Sequence, residues 1–518
     1  MFEPQESAPW YRSIAGLVAT SLLLPPVGLA LLWTRPQTPV RRKILFSLCI
    51  VLVGAFYFSL YSVWRRSSAN EAHYAALEQH RAQQQREALA QPAANAPATS
   101  TASPSPQPGV PTAQQAAVPA PANSTDSVAA HVGRNYWTNF RGPNRDGRYD
   151  EMAVLTNWPA QGLSLVWKEP VGLGYASFTI ADGRAYTIEQ RRQQEVAAAY
   201  DVNTGRELWT QKWNAEYNDQ TGDGPRTTPT WDEGRLYALG ATGELRCLDA
   251  RTGAVSWGKN ILSDNQAENL QWAMAASPLI VDDKVIVLPG GSAGKSVAAY
   301  NKMTGAPVWK SQNDRQAYVS PMLVTLGGRR QILVVSASRV FGLAPENGSL
   351  LWSQSWDTDM GINVSQPIIV DKNRFFISSG YGKGASVVEI TGSGNSFTAR
   401  TVWENINMKN KFNSSVLYEG HVYGLDEGIL TCLDVNTGAR KWKGGRYGYG
   451  QIILASGHLI VMSDSGEVAL VKATPAEYSE VARFPALEGK TWNYPAIAGG
   501  RLFVRNATQM AAYKIAAE

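Results

Sequence analysis

The hydrophobic rhythm of this chain changes between its two ends. The first 64 residues hold two long runs without charge, Ile14–Trp33 and Ile44–Trp64, of twenty and twenty-one residues. As helices, each is long enough to cross a hydrocarbon core of about 30 Å. From about residue 160 the apolar residues fall instead in short alternating runs, the period of half-buried strands. One such group begins at Ser177–Ala181. Asp182–Gly183 makes a tight turn, and Arg184–Glu189, Val196–Asp201 and Glu207–Thr210 follow as three further strands, the last after an Asn203–Thr204–Gly205 turn. Four short antiparallel strands in about 40–50 residues make one blade of a β-propeller.

The unit recurs. Ala199–Trp209 reads AYDVNTGRELW, and close copies stand at Cys247–Trp257, Ala299–Trp309, Gly342–Trp352 and Cys432–Trp442. The turn that opens each unit appears eight times, at Asp182–Gly183, Glu233–Gly234, Asp283–Lys284, Gly327–Gly328, Lys372–Asn373, Glu419–Gly420, Ser456–Gly457 and Gly499–Gly500. An outer-strand aromatic also appears eight times, as Trp167, Trp209, Trp257, Trp309, Trp352, Trp403, Trp442 and Phe484. The two series are offset, because Trp167 precedes the first opening turn and no outer strand follows Met510–Ile515. The spacing therefore predicts an all-β, eight-bladed propeller over residues 131–518, with Leu165–Pro170 completing the eighth blade. The eight aromatics are expected to pack on the glycine of an adjoining turn and dock neighbouring blades, each burying about 150–250 Å². Cys247 and Cys432 then fall in blades two and six, too far apart for a disulfide, and are expected as free thiols.

The residues before the propeller read as an anchor and a tether. Residues 1–66 are expected to form two transmembrane helices, with Pro25–Pro26 kinking the first or making it re-entrant. A signal peptide is disfavoured, since no small-residue cleavage site follows the first run and basic residues do. Arg35, Arg41, Arg42 and Lys43 favour a cytoplasmic loop, placing the C-terminal mass outside the cytoplasm, although Arg12, Arg65 and Arg66 pull the other way. Residues 67–91, rich in Ala, Glu, Gln and Arg, are expected to be a polar juxtamembrane helix. Residues 92–130, rich in Ala and Pro, are expected to be a disordered linker. The formal charge of +5 is small for 518 residues and gives no reason to expect a nucleic-acid partner.

At its repeat the sequence resembles the PQQ-binding-like β-propeller family, whose Ala-x-Asp-x-x-Thr-Gly-x-x-x-Trp docking motif is matched at 199–209, 247–257, 299–309 and 432–442. The lead-in Trp137–Glu151, with Trp158–Pro159, resembles the segment that precedes many bacterial propellers of this kind. The resemblance implies one of two functions. One is a quinoprotein dehydrogenase holding pyrroloquinoline quinone and calcium in its central funnel. The other is a cofactor-free scaffold like the propeller subunit of the outer-membrane assembly machine.

The residues favour the second. There is no adjacent cysteine pair, and Asp264, Glu268 and Asp314 are funnel carboxylates by position alone. The five histidines are scattered, with His421 and His458 just after opening turns. No catalytic residue, metal ligand or resident cofactor is assigned, and quinone with calcium is the alternative. The residues entering the inner strands are Tyr175, Arg226, Trp272, Tyr318, Asn363, Asn413, Tyr449 and Trp492. They are expected to ring the funnel mouth, where aromatics with arginine suit a partner or a ligand. Phe140–Gly147 is expected to fasten the chain entry to the rim, with Arg141 and Arg145 as further binding candidates. The expected protein is thus a membrane-tethered, extracytoplasmic, non-catalytic propeller in the cytoplasmic membrane that binds an envelope protein. A membrane-bound dehydrogenase of alcohols or sugars is the competitor.

Overall fold

The computed structural model describes residues 13–35, 38–90 and 136–517, with backbone alone for 88–90. These divide into two compact units at Gln79/His80. The Ala/Pro-rich linker at 92–130 lies outside the described residues.

In the first unit one helix, and not clearly two, is long enough to cross a membrane. The first apolar run is two short helices, α1 (Ile14–Leu23) and α2 (Pro25–Trp33), parted at Leu24. Pro25 and Pro26 carry no N–H to continue the ladder of α1. The helices close on each other at the break, where a Cβ on Gly28 would lie 2.3 Å from Ser21 Oγ. One described helix, α3 (Val40–Ala90, 51 residues), is long and apolar enough to cross a membrane. It runs without interruption through the residues read as a separate juxtamembrane helix.

The second unit is an eight-bladed propeller of four-stranded antiparallel blades. In the first blade the strands are Thr179–Ala181, Arg184–Arg191, Gln194–Asp201 and Glu207–Asn214. In the eighth, Ala496–Ala498, Arg501–Arg505 and Gln509–Lys514 are completed by Leu165–Pro170, with Trp167 opposite Ala512. The ring therefore closes as the offset series require. The seventh blade carries an unforeseen fifth strand, Arg148–Tyr149, parallel to Gln451–Ala455. Cys247 and Cys432 are buried free thiols in blades two and six.

Two sets of contacts join the blades. On the outside, an indole N–H donates to a carbonyl in the next blade's turn: Trp167 to Val202 at 3.0 Å, Trp209 to Ala250 at 3.1 Å, Trp257 to Lys302 at 3.0 Å and Trp309 to Pro345 at 3.1 Å. Trp403 reaches Val435 at 2.9 Å and Trp442 reaches Thr474 at 2.8 Å. Gly205 shows why the turn needs glycine. Its φ is +69°, and a Cβ there would stand 2.7 Å from the Trp167 ring. Asp201 braces the same turn by accepting from the backbone of Asn203 and Thr204, each at 2.9 Å. Two aromatics depart from this scheme. Trp352 donates within its own blade, to Gln331 Oε1 at 2.5 Å, because the fifth blade has a long hairpin instead of the docking turn. Phe484 packs beneath Gly162 and edge-on to Trp158 and Tyr513.

Around the axis, hydroxyls and amides link one inner strand to the next. Thr228 Oγ1 accepts from the N–H of Ser177, Ser277 Oγ from Thr228, Ser320 Oγ from Ser277, Gln366 Oε1 from Ser320 and Ser414 Oγ from Gln366, at 2.7–3.0 Å. Gln451 Nε2 donates to Phe412 O and Trp492 O, each at 2.9 Å, and Asn493 Nδ2 reaches Ala176 O at 2.9 Å. The circle thereby returns to the first blade.

The lead-in does more than fasten the rim. It enters the axis from the side of the opening turns, with Arg141 and Arg145 each 2% exposed. Arg141 donates to Ser415 O at 2.8 Å and lies over Tyr494 at 5.2 Å. Arg145 donates to Ser277 O at 3.2 Å, Pro321 O at 3.0 Å and Pro278 O, joining blades three and four. Neither makes an ion pair among the described residues. Burial alone lowers the Arg145 pKa to about 9. Carbonyls thus replace water around the cation, and the expected binding role for these two arginines gives way to a structural one.

Two expectations follow. Arg145→Met leaves three buried carbonyls without their donor and should lower stability by roughly 3 kcal/mol or more, read by urea denaturation. Glu480 offers a pH test. Burial raises its pKa, but Arg483, Tyr447 and Tyr478 outweigh that and bring it to about 2. Its contribution is present above the unfolded value near 4.5 and is lost as pH falls towards 2. Glu480→Gln should flatten the acid limb of stability in that window.

Candidate functional site

The axis opens on the face opposite the turns. Six of the eight expected mouth residues are half-buried on that face: Tyr175, Arg226, Trp272, Tyr318, Tyr449 and Trp492. Asn363 and Asn413 are each 1% exposed and turn inward. Asn363 accepts from Ser379 Oγ at 2.7 Å, and Asn413 accepts from Asn410 Nδ2 at 2.9 Å. In the sixth blade the aromatic one position earlier, Phe412, takes the place read as Asn413.

Trp492 is the centre of the mouth. It stacks on Phe412 with centroids 5.2 Å apart and planes at 10°, and on Tyr175 at 5.7 Å. Tyr449 meets both Phe412 and Trp492 edge-on, at 4.8 and 5.4 Å. Trp272 and Tyr318 form a second pair at 5.9 Å. Tyr381 completes the circuit. Burial raises its phenol to about 12, and Tyr449 and Tyr318 are near enough to add to the shift. Cations lie on the ring faces. Lys490 Nζ stands 4.0 Å from the Trp492 centroid, and the Arg226 guanidinium lies 4.4 Å from Tyr217 and 5.5 Å from Tyr175. Arg226 is aimed by Gly222 O at 2.8 Å and by Gly224 O, and burial depresses its pKa.

Sequence reasoning missed Tyr217, Tyr381, Phe412 and Lys490. Tyr217 and Tyr381 come from connecting loops with no repeat signal, and Phe412 is one residue out of register. Lysine–carboxylate pairs on the fifth and sixth blades include Lys383–Glu404 at 2.7 Å, Lys409–Glu427 at 2.8 Å and Lys411–Glu427 at 3.5 Å.

Below the mouth the axis is stopped. Tyr494 crosses from the eighth blade to donate to Ser414 Oγ in the sixth at 2.9 Å, and Phe140 of the lead-in packs edge-on against it at 4.9 Å. The side chains around this point are hydroxyls, amides and phenols. A quinone–calcium pair needs oxygen ligands, carboxylates among them, for a hard cation. Among the described residues no three His, Cys, Asp or Glu side chains are placed to hold a metal ion. Two of the three position-based candidates have carboxylates engaged elsewhere: Asp314 pairs with Arg339 at 2.7 Å, and Asp264 accepts from Tyr300 and Lys310. Glu268 offers its backbone carbonyl to Gln316. The flat aromatic pile suits a planar anion, but the donor set does not fit the calcium, so these residues do not fit the pair.

Comparison with known proteins agrees with the repeat. The family model described as outer membrane protein assembly factor BamB matches residues 192–444. The 1-butanol dehydrogenase (cytochrome c) of Thauera butanivorans is 27% identical over 177 residues, 33% of this chain and 24% of that protein. Quinohemoprotein alcohol dehydrogenase ADH-IIG of Pseudomonas putida is 24% identical over 206 residues, 37% of this chain and 27% of that one. The matches thus span about a quarter of each relative's length. Among solved structures, the Pseudomonas putida HK5 ADHIIG enzyme superposes with a TM-score of 0.54 at 14% identity, covering 74% of this chain and 80% of its own. The quinohemoprotein alcohol dehydrogenase of Comamonas testosteroni gives 0.52 at 13%, covering 74% and 81%. At these identities the superpositions speak for the fold alone. Repeat, ring and matches agree on a PQQ-like β-propeller repeat.

Proposed function

We propose that this protein is a membrane-tethered propeller that binds another protein of the cell envelope through its aromatic mouth and catalyses nothing there. The observation that carries this reading is a shallow aromatic and cationic face over a stopped axis. Half-buried Trp, Tyr and Arg side chains on rigid strand ends match the residues that dominate binding at protein interfaces. The matching family is described as an outer membrane assembly factor, which points the same way. α3 would be the anchor. Arg41, Arg42 and Lys43 precede its apolar stretch, favouring a cytoplasmic N-terminal side and an extracytoplasmic propeller in the cytoplasmic membrane.

The competing reading, a quinone-dependent dehydrogenase of alcohols or sugars, draws on the dehydrogenase relatives. It asks for a cation site that the mouth residues do not supply.

Three measurements test this proposal. A photo-crosslinking residue placed at Arg315, an exposed residue near Tyr318, should yield a discrete adduct in intact cells, and the same residue at Met303, on the opposite face, should not. Trp272→Ala with Tyr318→Ala should abolish the adduct in a protein that still folds; equal labelling at both faces would sink the proposal. Purified protein given the quinone and calcium should show neither a stoichiometric absorbance change nor dye-linked oxidation of an alcohol or aldose, and either result would establish the dehydrogenase. An enzyme reporter active only outside the cytoplasm, fused after Glu518, should be active.

A further inference from the structure

We infer that His80–Gln84, at the start of the second unit, is a clasp across the seam between the eighth and first blades, and that Arg81 is its pin. The ring closes at this seam with a strand from the opposite end of the propeller sequence. Arg81 touches both sides. Its Nη2 donates to Pro170 O, the last residue of the closing strand, at 2.7 Å. Its guanidinium lies 5.0 Å from the Tyr200 centroid, and its Nε is 3.6 Å from Glu207 Oε2, both in the first blade. Gln84 supports Arg81 through Oε1 at 3.0 Å and donates to Glu169 Oε2 at 2.9 Å. His80 bonds the same carboxylate.

The electrostatics beneath explain why a cation is needed. Glu189 is fully buried and accepts from Tyr200 Oη with both oxygens at 3.1 Å. Arg191 pairs with Glu189 and Glu207. Arg505 stands nearby, donating to Thr187 Oγ1 at 2.6 Å and Gly172 O at 2.8 Å. Burial raises the Glu189 pKa, but Arg191, Arg505 and Arg81, in that order, bring it below the ordinary range. Two carboxylates (Glu189, Glu207) thus meet Arg81 and Arg191, with Arg505 nearby, in a largely desolvated cluster, while Glu169 is held by His80 and Gln84. Arg81 is the only one of the three arginines that the propeller's own strands do not supply. Taking it away removes the Pro170 bond and the Glu207 contact together, in a place with little water to replace them. Release of this short helical segment is thus the event that loosens the seam.

Hydrogen exchange on the full chain in detergent tests this. Arg81→Met keeps the apolar stem and removes the charge. It should speed amide exchange at Leu165–Pro170 and Glu207–Asn214 by tenfold or more and leave Gly384–Ser393, in the fifth blade, unchanged. Glu207→Gln should act on the same segments, and the double variant should be no worse than the worse single, because both act through one contact. Gln84→Ala, a milder change that serves should Arg81→Met fail to fold, should speed the same segments about threefold. Unchanged protection at the seam in Arg81→Met, or in Gln84→Ala if only that variant folds, or acceleration spread evenly over all blades, would overturn the clasp.

Discussion

The fold depends on an indole ring lying on a glycine. A propeller blade is a small twisted sheet with two faces to bury, and no blade can bury both alone. The ring works only if each blade meets the next at a repeatable distance and angle. The docking motif sets both. The tryptophan of one outer strand lies flat on the next blade's turn, and its N–H reaches a carbonyl three residues before the turn glycine. The hydrogen bond contributes about 1 kcal/mol. The covered ring contributes more, at about 25 cal/mol per Å² of apolar surface. The bond supplies direction, because it ties the ring to one turn in one pose. Asp201, Asp249, Asn301 and Asp434 hold the turn from within, so the surface offered to the tryptophan is already formed.

The seams that break the rule show that the constraint is spacing, not tryptophan itself. At the fourth seam a Cβ on Gly342 would stand 2.4 Å from Trp352 Nε1, so the missing side chain makes room for the indole to turn back onto Gln331. Contact across that seam passes to the fifth blade's hairpin. Arg329 donates to Gly394 O at 2.8 Å, and Phe397 lies against Gly327. At the sixth seam Trp442 still finds a carbonyl, but Tyr478, edge-on at 5.9 Å, fills the space that a turn glycine opens elsewhere. Each substitute keeps neighbouring blades in contact.

What could be read from the sequence follows from how local each determinant is. The turns and aromatics recur at fixed offsets because each obeys a rule within one blade, so the blade number and the closure at Trp167 were legible. The mouth was legible only in part, since inner-strand entries are neighbours in space without a shared motif. Asn363 and Asn413 sit where the periodicity puts them, yet amides there find buried partners and turn inward. Phe412 takes the exposed place because its ring can stack on Trp492. The first apolar run read as a span by length with a kink or re-entry at Pro25–Pro26, and the helix does break there, at Leu24. Arg141 and Arg145 looked like surface residues of a polar loop. Nothing local says that their partners are carbonyls on distant blades.

These two arginines and the seam cluster show two ways of burying positive charge, and the difference bears on function. In the axis the cations are met by neutral carbonyls. Burial lowers the Arg145 pKa there, while Arg141 has Asp146 beside it. At the seam between the eighth and first blades guanidinium groups are met by carboxylates, so that cluster is nearly neutral. At the mouth Arg226 lies desolvated between Tyr175 and Tyr217, with Asp219 and Asp223 near enough to act on it. A face built this way, aromatic and held fixed by the strand ends and by the plug below, has little conformational entropy left to lose on binding.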